Sequence, residues 1–154
     1  GIIQALGVTA TDSGVRVVPD EELWKNFISS QPSSAKFTDF AGNIRIFNFS
    51  GYLTNGYTVV AKETVDSDQG YEFSGFSYSS PHEAMSNVVS KIRTSLATRN
   101  LDPHNFPHLI AHQCVGRVAH GGVVVDGEFV AWEKFTEMMQ SYEGWEFSLD
   151  FGDT

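Results

Sequence analysis

A chain of 154 residues, 41% apolar, can bury a core without disulfide or metal staples, and one domain spanning residues 1–154 is the default expectation. Its 19 acids against 10 bases, a formal charge of −9, oppose a phosphate backbone that is gripped by clustered Lys and Arg, so direct contact with DNA or RNA is not expected. The lone cysteine, Cys114, rules out an intrachain disulfide and fits the reducing cytoplasm. No stretch approaches the roughly 18 apolar residues of a membrane span, and residues 1–8 lack the basic start and apolar run of a signal peptide, so no membrane partner is expected.

In chain order, residues 15–18 form a short apolar run closed by Pro19. Asp20 can then cap a helix with Glu21 and Glu22 in its first turn and Leu23, Trp24, Phe27 and Ile28 on one face. Residues 31–36, Ser-rich with Pro32, read as a loop. Residues 43–50 alternate as a strand, residues 51–56 turn the chain back into a second strand over 57–64, and a polar turn at 66–70 leads to a third over 71–78. Ser80-Pro81-His82-Glu83 is a capping box with a first-turn proline. The helix it opens should run to about Thr98, with Met85, Val88, Val89, Ile92 and Leu96 on its apolar face.

Residues 101–107 hold two prolines and read as a connector and hinge, followed by a strand over 109–119 with Gly116 as a bulge. Asp126-Gly127 between Val123-Val124-Val125 and residues 128–131 is a type I′ hairpin signal. Trp132, Phe135, Met138, Met139 and Tyr142 then fall at helical spacing, and Gly144 suits the left-handed position that stops a helix. Trp145-Glu146-Phe147-Ser148-Leu149-Asp150-Phe151 alternates as an edge strand would, and its charges discourage edge-to-edge pairing, which favours a monomer. These elements predict an α+β fold: an antiparallel sheet of a three-strand meander plus a C-terminal hairpin and closing strand, packed with about three helices. The N-terminal αβββα half covers about 15–100 and the C-terminal ββαβ half about 108–153.

The helix, three-strand, helix order over residues 20–99 resembles the topology of double-stranded-RNA-binding domains, and residues 57–99 resemble HicB-type antitoxin modules. The resemblance implies a shape without the activity. RNA binding of that kind needs a basic start to the last helix and a His-bearing loop, whereas here the helix opens Pro81-His82-Glu83-Ala84 and residues 51–56 carry no base. The ending Val123-Val124-Val125-Asp126-Gly127, Trp132-Glu133-Lys134-Phe135 and Tyr142-Glu143-Gly144-Trp145-Glu146-Phe147 is similar to a C-terminal signature of uncharacterised bacterial and phage domains, and implies a source, with no known activity.

Three function classes stay open. Between Asp126 and Asp153 eight acids face a single base, Lys134, which suits capture of a basic protein partner, in the manner of a phage or mobile-element inhibitor of a host protein, through Glu133, Glu137 and Glu143; a merely solubilising surface explains the same charge. Arg93, Arg99 or Arg117, near the connector, could instead meet an anionic, nucleotide-like small molecule. His104, His108, His112, Cys114 and His120 form the strongest enzymatic hint, since zinc takes neutral His nitrogen and Cys sulfur and could support hydrolysis. Pro103 and Pro107 break any continuous helix there, and a strand would set alternate ligands roughly 7 Å apart. Cys114 within an apolar strand is a poor nucleophile. Asp12, Asp66 and Asp68 fit no calcium-loop spacing and are explained by turn chemistry. No catalytic residue and no cofactor is assigned.

Overall fold

The computed structural model describes residues 8–11, 14–17, 20–65 and 69–152. Strands β1 (Val8–Thr11) and β2 (Gly14–Val17) form a small antiparallel ladder, with Val8 opposite Val17. Asp12, Val18, Asp66, Asp68 and Asp153 lie outside the described residues.

Helix α1 (Glu21–Ser30) begins where Asp20 accepts a hydrogen bond from the Leu23 amide at 3.0 Å, the expected N-cap. It buries Trp24 and Phe27, and Trp24 packs against the Tyr57 ring with centroids 5.4 Å apart. The chain then enters an antiparallel meander of β3 (Ser34–Thr38), β4 (Ile44–Leu53), β5 (Tyr57–Glu63) and β6 (Glu72–Ser77), hydrogen-bonded in that order. Sequence predicts a loop at 31–36; instead β3 pairs with β4, Lys36 opposite Ile46 and Phe37 opposite Arg45. The meander therefore has four strands. Ser and Pro set the start of β3 and hide a strand in which only Ala35 and Phe37 turn inward.

Helix α2 (Pro81–Leu96) starts at Ser80, whose hydroxyl accepts from the Glu83 amide, and it buries Ala84, Val88, Ile92 and Leu96. These side chains cover one face of the meander with Phe47, Val59 and Ala61, all nearly or fully buried, while Ile44, Ile46 and Tyr52 on the other face stay exposed. The helix lies so close to β6 that a Cβ on Gly75 would run into the Ala84 carbonyl and the Val88 amide.

After the connector a second sheet forms from β7 (Gly116–Ala119), β8 (Gly122–Val125) and β9 (Glu128–Ala131), and it leads straight into helix α3 (Trp132–Gln140). Leu101, Val123, Val125 and Val130 make its core, with Leu109, Cys114 and Phe135 packed against them. The strand expected over 109–119 is shorter: residues 109–115 are irregular apart from a single bridge between Leu101 and Leu109, and the ladder starts at Gly116. The closing strand expected over 145–151 has no ladder partner among the described residues. The α+β class stands, with three helices and open antiparallel sheets among the described residues. No described helix is long and apolar enough to cross a membrane.

One buried carboxylate ties the hairpin to the connector. Asp126 sits at φ 57° ahead of Gly127 at φ 76°, the two positive angles of a type I′ turn. Its oxygens accept from the amides of Asn100 at 3.0 Å and Leu101 at 2.8 Å and from the Asn100 side chain at 2.8 Å. Arg99 adds an ion pair at 3.6 Å. The expected hinge is thus fastened by its neighbour.

Candidate interaction surface

Helix α3 turns a narrow apolar side, Met138 and in part Phe135, toward the second sheet, whereas Trp132 and Met139 remain exposed. Glu133 and Glu137, one helical turn apart, share the face away from Met138, and Lys134 meets Glu137 at 3.4 Å. Glu143 is exposed in the turn that follows. All three candidate acids for partner capture are therefore exposed on the C-terminal unit.

Gly144, at φ 88°, reverses the chain, and the Trp145 amide donates to the Tyr142 carbonyl at 2.9 Å. His112 braces the exit: its Nδ1 lies 3.0 Å from the Tyr142 hydroxyl, and its ring stands 5.0 Å from that of Trp145. Residues 145–152 then run on without regular hydrogen bonding. Trp145, Phe147, Leu149 and Phe151 are 58%, 76%, 70% and 72% exposed, and Glu146, Ser148 and Asp150 alternate with them, exposed as well. In an extended chain such alternation puts all four apolar groups on one side, roughly 7 Å apart. Sequence reads this segment as an edge strand; the structure leaves its apolar side chains outside the core.

The three arginines do not form a common site. Arg99 pairs with Asp126 and, at 3.8 Å, with Glu128, donates to the Leu101 carbonyl at 2.7 Å, and stacks 5.1 Å over the Phe40 ring. Arg117 reaches the Gly70 carbonyl at 3.0 Å and Glu72 at 3.8 Å, bridging the second sheet to the first. Both hold the fold together. Arg93 alone is exposed, at an open depression of about 560 Å³ lined by Lys36, Phe37, Phe40, Leu96 and Ala97 among others.

No three His, Cys, Asp or Glu side chains among the described residues group closely enough to hold a metal ion; the candidates His108, His112 and Cys114 precede the strand expected to put His112, Cys114 and His120 on one face, which begins only at Gly116. His112 serves the aromatic brace instead. Burial pushes the Cys114 thiol up to about 11, with the Asp126 charge adding to it, the opposite of an activated nucleophile.

A second charged cluster is structural. Arg45 bridges the buried carboxylates of Asp39 and Glu63, each at 3.1 Å. Burial alone would raise the Asp39 pKa, but the Asn43 amide, the Arg45 guanidinium, the Ala41 amide and the Asn43 side chain outweigh it and hold the carboxyl below its ordinary range.

Two family models match the chain. Residues 29–97 match a domain of unknown function, DUF7686, and residues 101–154 match another, DUF7713. The second contains the 123–147 signature that sequence reading likened to uncharacterised domains. No curated protein and no solved structure matches.

Sequence reading missed two structural features here. The His112, Tyr142 and Trp145 brace joins residues 30 or more positions apart, which no local pattern reports. The lack of a ladder for residues 145–151 was equally hidden, because alternation is the same for a paired strand and for one awaiting a partner.

Proposed function

We propose that this protein is a protein-interaction module whose docking element is the acidic, aromatic segment 145–152 with the adjoining outer face of α3. The observation that carries this reading is the exposure of Trp145, Phe147, Leu149 and Phe151 on a segment that leaves the core. Large contiguous apolar exposure on a soluble chain costs free energy unless a partner covers it, and aromatic anchors are what partners cover. Glu146 and Asp150 alternate with these anchors along the chain, and the exposed Glu133, Glu137 and Glu143 precede them, so the matching surface is basic and apolar, and the acids steer its approach. An inhibitory role toward a basic host protein is one form of this reading.

Affinity capture with the full chain tests it. Phe147→Asp with Leu149→Asp should abolish capture, and Glu133→Lys with Glu137→Lys and Glu143→Lys should slow association most at low salt. Capture unchanged by both sets would overturn the reading. Binding of an anionic small molecule has weaker support, since Arg99 and Arg117 are committed to internal bonds.

A further inference from the structure

The four-stranded sheet has two edges, and they are treated differently. Along β6, side chains of α2 occupy outward carbonyls: Lys91 Nζ donates to Ser74 O at 2.6 Å and Asn87 to Phe76 O at 3.0 Å. Such cover blunts an edge against pairing. Strand β3, at the other edge, has no comparable side-chain cover among the described residues. Beside it lies the depression of about 560 Å³ between β3 and the end of α2, with Phe37, Phe40 and Leu96 as its apolar lining, Lys36 and Arg93 as its cations, and Asp39, already paired with Arg45, as its acid. Neither cation has an ion-pair partner among the described residues.

What fits there is an extended segment with apolar groups on one side and acids on the other. Residues 145–151 are such a segment. We propose that residues 145–151 of one copy add to β3 of a second copy as a fifth strand, which rests on the interaction role argued above and names its partner. Phe37 and Lys36 point to opposite faces of β3. The side of the added strand that carries Trp145, Phe147, Leu149 and Phe151 therefore lies with Phe37 over the depression, and Glu146 and Asp150 lie with Lys36 on the other face. Backbone hydrogen bonds along the edge supply affinity, and alternate side chains set the register. Lys36 repels a basic edge and welcomes an acidic one. The charges that argue against pairing of like strands thus favour this unlike pair. When both copies contribute, the exchange closes a two-fold dimer.

Sedimentation equilibrium of the full chain at physiological ionic strength, where the like net charges are screened, gives the test. The wild type should self-associate. Phe147→Asp with Phe151→Asp should weaken association at least tenfold, and so should Lys36→Glu with Arg93→Glu, whose parent side chains are exposed and make no ion pair among the described residues. Mixing the two variants should restore pairing in one direction, since each keeps the half the other lacks. A wild type that stays monomeric, or association untouched by the Lys36 and Arg93 changes, would overturn the inference. If that monomer still captured another protein through Phe147, the interaction role would stand without the second copy.

Discussion

At the scale of single residues, two carboxylates carry more of the structure than their positions in turns suggest. Asp126 accepts from two backbone amides and one side-chain amide while its own backbone sits at positive φ. Asn tolerates that conformation but turns one acceptor into a donor and drops the charge. Asp126→Asn should therefore destabilise by about 2 kcal/mol, read as a lowered urea midpoint, and Asp126→Ala by about 4 kcal/mol, because the amides and Arg99 are left without their buried acceptor. Asp39 makes a pH prediction. Its pKa is lower in the folded state than in the unfolded chain, so protons bind the unfolded state better. The stabilisation is complete above about pH 4 and is lost as pH falls through the lower folded pKa. Urea titrations across that range should show stability falling with acid, and Asp39→Asn should flatten the fall.

At the scale of elements, Gly75 is where helix and sheet touch. A methyl there meets backbone on α2 that no rotamer change can move, so Gly75→Ala should cost about 3 kcal/mol and lower the melting temperature while leaving the second sheet's own core intact. Helices were legible from the sequence because their signals are local: Asp20 and Ser80 cap, Pro81 starts, and apolar residues recur each turn. The Asp126-Gly127 hairpin was legible for the same reason. Strand β3 was not, since its pairing depends on β4 and its sequence offers only two inward side chains. Residues 109–115 alternate in polarity yet are shaped by long-range bonds, with Asn100 accepting from the Ile110 amide through its carbonyl and from the Val115 amide through its side chain. The candidate surface was half legible: the acids were visible by count, the exposure of the aromatics only in three dimensions.

At the scale of the whole molecule, stability and docking reside in different places. The buried apolar residues cluster under α1 and α2 and inside the second sheet, and residues 145–151 belong to neither cluster. Phe147→Asp should thus leave the thermal midpoint, measured at concentrations where the chain is monomeric, within the shift expected of about 0.5 kcal/mol, typical of surface changes, while removing partner capture. A large drop in midpoint would mean that the segment is covered by its own chain.

The fastening of Asn100 by Asp126 bears on how such a protein can be recombined. Residues 29–97 and 101–154 match separate family models, and Asn100 falls in the gap between them, although three of the four hydrogen bonds at the Asp126 carboxylate begin on it. A graft of residues 101–154 onto a foreign N-terminal unit carries the acceptor and leaves the donor behind. Portability of the C-terminal unit therefore begins one residue upstream of where sequence similarity says it does, at Asn100, just past the end of α2.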